Sequence, residues 1–395
     1  FPIPATRTES GPTTTIANYG YVTAAASWPT YYSTVNRIDF DNDTATAVVK
    51  GPLSTDQHRA GNTSSGTNHG YVSGNAPGAN SIVDRIDYSN DTATALVRGN
   101  LGSTSSFSSG TGNANFGYHE ANTGSANCYV RRIDYSNDTA VATPVGDFYT
   151  PSYARSATGN QSYGYFTNGS PGGTQIDRID YSNDTPTASP KGPLSGPTES
   201  GIAATGNASY GYFNRTPGDQ VDRLDYSNDT ATAVTKGPLT TSTRRAGATG
   251  NQSYGYFTAG NKPSSPTSAV DRIDYSNDTT TASSKGALSA AYGYNRGLGP
   301  RECANPTTLT PSVTVDKGAD GYTTLSEGPA FGYMCGGRNP AESPSDAVQT
   351  LIDRIDYSND TATASPKGAL YVRRNNHAAV GNKDYLYNGG GGYGS

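Results

Sequence analysis

The chain has 395 residues, a net charge of −5 and 15% charged residues, with no run of lysines or arginines. That balance argues against nucleic acid and against an anionic membrane surface as partners. No stretch approaches the roughly 18 to 20 apolar residues that would span a bilayer, so no membrane insertion is expected. The 48 glycines, 29 tyrosines, single Met and single Trp suit short strands joined by tight turns, where tyrosine supplies apolar area with a polar tip.

The chain begins at Phe1 without an initiator Met, which reads as a processed product or a fragment. Its organising feature is Arg85-Ile86-Asp87-Tyr88-Ser89-Asn90-Asp91-Thr92, found seven times with little change. The copies start at Arg37, Arg85, Arg132, Arg178, Arg223, Arg272 and Arg354, so the spacings are 48, 47, 46, 45, 49 and 82 residues. A strand-rich unit of that period cannot cover both its faces alone, so each copy must pack against its neighbours.

One unit, from Thr205 to Leu239, shows the layout. Gly201 to Thr205 makes a short first strand, Tyr210-Gly211-Tyr212-Phe213 a second, Gln220 to Tyr226 a third and Thr230 to Thr235 a fourth. Gly206-Asn207 and Asn228-Asp229 are the turn residues between them. Four antiparallel strands in about 47 residues is the layout of a propeller blade. Pro144, Pro186, Pro190 and Pro366 all fall in the fourth strand, which is therefore expected at the exposed outer edge, because proline lacks a ladder donor. A glycine between two aromatics in the second strand (Gly20, Gly117, Gly164, Gly211, Gly255, Gly332) predicts a close approach by a neighbouring blade.

The third strand carries the charges. Alternation places Val83, Arg85 and Asp87 on one face, which predicts an Arg–Asp ladder within or between blades. A group present in every copy is structural, so no metal is assigned to these aspartates. The Asp-Tyr-Ser-Asn-Asp-Thr turn has the oxygen density of a calcium loop but lacks the twelve-residue loop and its closing Glu. Cys128, Cys303 and Cys335 have no metal-ligand spacing; Cys303 and Cys335 are candidates for a disulfide.

Between the Arg272 and Arg354 copies lies residues 286–330, either a degenerate blade or an insertion. Seven blades are favoured over eight, in a single propeller spanning residues 1–395. Residues 371–395 form a C-terminal half unit, a candidate ring latch or partner strand.

The order Tyr-Gly-Tyr-Phe, then Val-Asp-Arg-Ile-Asp-Tyr, then Lys-Gly-Pro-Leu followed by Arg and Ala-Ala-Thr-Gly-Asn resembles the kelch repeat, without its double Gly in most copies and without its Trp. The wording of the unit is similar to that of repeat proteins encoded by marine bacteriophages and assigned to the virion. The resemblance covers nearly the whole chain. It implies an all-β, kelch-like propeller on a virus particle or outside the cell, and it brings no catalytic residues and no cofactor.

In an antiparallel blade the first-to-second and third-to-fourth turns lie at one end, while the second-to-third loops and the connections between blades lie at the other. The latter vary between copies. Trp28, Tyr31, Tyr32, His119, Glu120 and Arg338 are therefore the candidate binding residues. With four His, few Glu and no Ser-His-Asp order or His-Glu-x-x-His, no enzyme is expected. The reading is a virion structural or appendage protein contacting other virion proteins, itself, or a host glycan or protein. A carbohydrate-binding propeller or propeller glycosidase, and a fibre-forming subunit, are the alternatives.

Overall fold

The computed structural model describes residues 18–299 apart from 24–25, 28–29, 58–61, 75–79, 106–107, 122–128, 170–171, 199–200, 217, 243 and 263–264; beyond 299 it describes six strands. Trp28, Cys128, Cys303 and Arg338 lie outside the described residues, as do most of 286–330 and 371–395. The chain divides into two compact units, Phe1–Asn305 and Pro306–Ser395.

The first unit is an all-β propeller. It holds six four-stranded antiparallel sheets, one for each of the first six copies. The fifth is typical: Ala204–Gly206, Tyr210–Asn214, Val221–Asp225 and Val234–Lys236 pair in sequence order. The first strands of successive sheets touch one another in an unbroken circle around the axis. Sheet one obtains its first strand from the far end of the unit. Arg296–Leu298 pairs with Tyr19–Thr23, placing Leu298 opposite Tyr21 and Arg296 opposite Thr23.

That pairing fixes the blade number at six, not the seven favoured from the repeat count. The residues just after the sixth copy occupy the closing position, so the ring is complete before the seventh copy begins. The Arg354 copy forms its own four-stranded sheet in the second unit, from Thr324–Glu327, Phe331–Cys335, Leu351–Asp356 and Ser365–Ala369. Its register repeats that of the ring: Tyr333 stands opposite Arg354 as Tyr212 stands opposite Arg223. A two-stranded hairpin, Ala378–Gly381 with Leu386–Gly389, follows it.

Two strand expectations are corrected. The fourth strand begins at Val234 rather than Thr230, because Ala231 N–H bonds back to Asn228 O and Ala233 N–H donates to Pro193 O of the preceding blade. Pro186 lies in the bend before its strand, whereas Pro144, Pro190 and Pro366 are in outermost strands. Those outer strands are exposed: Val48, Leu96 and Val234 each leave more than half their surface in solvent.

Each of the six blade–blade contacts has its own apolar cluster, which is why no blade is stable alone. Between blades four and five, Tyr165, Ile176 and Leu194 meet Ala204, Phe213 and Leu224. The glycine between the aromatics sits where the sequence requires it. A Cβ on Gly211 would lie 2.9 Å from both Thr158 Cγ2 of the preceding blade and Tyr226 Oη.

The charged ladder forms between blades, but its carboxylate comes from the turn rather than the strand. Asp229, in the Asn-Asp turn of blade five, accepts from Tyr165 Oη (3.0 Å), Arg178 (2.6 Å) and Lys191 (3.3 Å) of blade four. The strand aspartate, Asp225, instead accepts from Ser227 N at 2.9 Å and shapes its own turn. The tyrosine also stacks on the next blade, with Tyr165 and Tyr226 ring centroids 4.7 Å apart and nearly parallel. The set runs round the ring and closes it: Asp43 of blade one takes Tyr256, Arg272 and Lys285 of blade six at 2.8, 2.7 and 3.2 Å. Burial raises the Asp43 carboxyl pKa, but the Tyr256 and Lys285 hydrogen bonds and the Arg272 charge outweigh it and hold it below the usual value.

Candidate functional site

At the loop end a second set of tethers joins the blades. The third-strand residue before the ladder arginine accepts a backbone N–H from the incoming connection: Ser54 to Asp84 (3.1 Å), Thr150 to Asp177 (3.2 Å), Ser195 to Asp222 (2.7 Å), Thr240 to Asp271 (2.8 Å) and Ser289 to Asn36 (3.1 Å). Blade three is the exception, with Arg131 at this position. It departs twice more in its second strand, Phe116–Ala121. His119 replaces the Val or Phe found at Val22, Val72, Phe166, Phe213 and Phe257, and Glu120 replaces a small polar residue.

These two substitutions build a buried polar cluster. His119 is fully enclosed, its Nδ1 2.6 Å from Ser73 Oγ and its Nε2 2.7 Å from Ser64 Oγ, so one hydroxyl donates to the ring and the other accepts. Burial pushes its pKa down to about 3, which keeps the imidazole neutral. Glu120 is also fully buried; Ser109 N–H donates to its Oε2 at 3.2 Å, and Asn62 Nδ2 donates to its backbone carbonyl at 2.9 Å.

Two buried arginines feel this carboxylate. Arg155, from the connection into blade four, has no exposed surface; its Nε lies 3.8 Å from Glu120 Oε1 and its Nη1 3.5 Å from Asp177 Oδ2. It lies over the Phe148 ring at 4.2 Å and donates to Thr167 O, Asn168 Oδ1 and Thr150 O. Arg296, on the closing strand, is pushed down to about 10 by burial, with the Glu120 charge opposing that shift. Burial likewise raises the Asp177 carboxyl, against the pull of Arg155. Four charges are thus held out of water at one end of the ring, an arrangement that is costly unless each has a partner.

His119 and Glu120 therefore belong to a strand and to the interior, not to a variable loop as the sequence suggested. Tyr32 packs edge-on against Tyr292, with centroids 5.3 Å apart, and covers the apolar cluster between blades six and one. Tyr31 is half-buried in a two-residue strand, Thr30–Tyr31, paired with Ala26–Ser27. Trp28 and Arg338 lie outside the described residues.

The longest strand pair among the described residues lies at the loop end and is not among the features expected from the sequence. Blade six carries Tyr254–Lys262 and Ser265–Asp274, nine and ten residues long, where the matching strands of blade five have five each. The hairpin is bulged between Thr258 and Gly260 and tied to the incoming connection by the Arg244–Asn261 bridge. The signal was present in Thr267-Ser268-Ala269-Val270, whose β-branched residues extend the third-strand pattern backwards.

At the opposite, turn end, a cleft of about 490 Å³ opens between blades two and three, lined by Gly66, Asn68, His69, Tyr71, Phe116 and Tyr135 among others. Gly66 stands where blades four to six have Asn160, Asn207 and Asn251, so one inter-blade side chain is missing there. Burial and the Arg85 charge lower the His69 pKa.

No family model matches the chain, and no curated protein does. Among solved structures it is similar to that of YjhT, at 10% identity and a TM-score of 0.49 over 79% of this chain and 98% of that one. A likeness so distant carries no argument about chemistry.

Proposed function

We propose that this chain is a non-enzymatic structural or appendage protein of a virus particle, which uses the loop end of its propeller to hold another virion protein or a host surface. The virion assignment rests on the wording of the repeat. The binding assignment rests on the blade six hairpin, which extends beyond what the repeat needs for packing. The repeated arginines, tyrosines and turn aspartates are engaged between blades, and the buried carboxylates Glu120 and Asp177 have no exposed surface to offer a polymeric substrate. Recognition is left to the loops, on a rigid frame.

The test replaces residues 259–266 by an Asn-Gly turn and measures incorporation into particles and adsorption to host cells. A folded variant, as judged by thermal melting, that incorporates and adsorbs like the parent removes the hairpin from the reading. Loss of either step supports it and says which partner the hairpin holds.

A further inference from the structure

At the turn end, two seams of the ring are bridged by a pair of carboxamides. Between blades three and four, Asn113 Nδ2 donates to Gln161 O at 3.4 Å, and Ala114 N–H donates to Gln161 Oε1 at 3.3 Å. Between blades five and six, Asn207 Nδ2 donates to Gln252 O at 3.4 Å, and Ala208 N–H to Gln252 Oε1 at 3.1 Å. The seam between blades four and five keeps the asparagine alone, with Asn160 Nδ2 reaching Ala208 O at 3.5 Å. Between blades two and three both side chains are replaced, the asparagine by Gly66 and the glutamine by Ala114.

The consequence is the cleft of about 490 Å³, within the range of about 300–1,000 Å³ that small-molecule sites occupy. The backbone groups that the bridge uses elsewhere are here the Thr67 N–H and the Ala114 C=O, both from residues lining the cleft. Neither is hydrogen-bonded among the described residues. The wall is aromatic, with Phe116 beside Tyr135, whose ring stacks on Tyr71 at 4.5 Å between centroids. Gly66 leaves that ring uncovered, since a Cβ there would lie 3.0 Å from Tyr135 Cδ2. His69 replaces the larger ring of Tyr19, Tyr163, Tyr210 and Tyr254; burial and the Arg85 charge lower its pKa, so it is neutral at pH 7. Asn68 and Asn115 are exposed at the rim, and their side-chain amides have no partner among the described residues.

We propose that this cleft binds a neutral N-acetylated amino sugar. The acetamido group supplies what the two side chains supply at the other seams: its carbonyl accepts from Thr67 N–H, and its N–H donates to Ala114 C=O. The apolar face of the pyranose ring lies on the aromatic wall, and its hydroxyls meet the Asn68 and Asn115 amides. The Asp134 carboxylate, also in the lining, disfavours an acidic sugar. The site is at the opposite end of the ring from the blade six hairpin and does not depend on the proposed function.

The experiment is ligand-observed NMR on the full chain, with N-acetylglucosamine, N-acetylgalactosamine and N-acetylmannosamine as probes. At least one should bind, with glucose and N-acetylneuraminic acid each weaker by about tenfold or more, the worth of a lost hydrogen-bonded pair or of an unpaired charge. Ala114→Gln, at an exposed position, restores the sister blades' glutamine and should weaken binding by a similar factor with an unchanged melting temperature. Gly66→Asn should do the same from the other blade, and it serves if the first variant fails to fold. Shortening the hairpin should leave the affinity as it was, so the two readings fail separately. The proposal is overturned if none of the three amino sugars binds at tens of millimolar. It is equally overturned if glucose binds as well as they do, or if binding persists undiminished in the folded variants.

Discussion

The two ends of the propeller carry charge in opposite ways. At the turn end one set recurs at every seam, with tyrosine, arginine and usually lysine converging on a single aspartate that takes all of them. At the loop end, around blade three, Arg155 meets Glu120 and Asp177 once, at longer distances, and the Glu120 charge acts on the buried Arg296. Repetition marks charge that builds the fold, because every blade must solve the same packing problem. A charge cluster that occurs once answers to no such rule, and the blades that lack it close equally well.

The largest test of that contrast is Arg155→Ala. It leaves Asp177 and Glu120 buried without their nearest cation and removes the contact with Phe148, so a loss of roughly 3–5 kcal/mol is expected. Denaturant unfolding reads it directly. A loss no larger than that of a surface arginine would mean that the cluster is hydrated and not a sealed knot.

The two ends should also separate by pH. His119 is neutral when folded and its pKa is depressed to about 3, so below about 6.5 the unfolded chain binds the extra proton. Stability should then fall by about 1 kcal/mol per unit as pH drops from there towards 4. The turn-end aspartates Asp43, Asp91 and Asp138 have lowered pKa values, so their contribution is intact above about 4 and is lost only as pH falls further. His119→Phe, which copies the sister blades, should flatten the first window and leave the second. Thermal melts across pH 7 to 3 check both.

A single hydroxyl probes the turn end. Tyr212→Phe keeps the stacking on Tyr275 but removes the 2.9 Å bond to Asp278, for a loss of about 1.5–3 kcal/mol. The same change at Tyr165 or Tyr256 should cost the same, since each makes the equivalent bond. Unequal losses would break the claim that the seams are equivalent.

Much of this was legible in the chain. Strand order, three of the four outer-edge prolines, the crowded glycine and the existence of an Arg–Asp ladder follow from period and residue type. What failed was whatever depends on long-range partners. Asp87 and Asp91 look alike in sequence, and only the seam shows that Asp91 bridges blades while Asp87 holds Ser89. Blade number turned on Arg296-Gly297-Leu298, whose glycine-rich wording gives no sign that it would close the ring. His119 and Glu120 read as loop residues because polar side chains break the aromatic pattern of the second strand; their burial depends on Ser64, Ser73 and Arg155, which come from other blades.

The smallest expected effect is a gain. Blade three has Val145 where the others place a cation, so among the described residues Asp184 takes Tyr118 and Arg132 in the ladder without a third donor, and Arg132 is the most exposed of the six ladder arginines at 30%. Val145 packs at the edge of an apolar cluster, but a lysine stem can cover that surface while its ammonium reaches the carboxylate, as Lys191 does at 3.3 Å. Val145→Lys should therefore add about 0.5–1 kcal/mol, in the range of a partly exposed ion pair. The gain must vanish when Asp184 is changed to Asn in the same chain. If it survives, the lysine acts through general charge and not through the seam, and the third interface is complete without it.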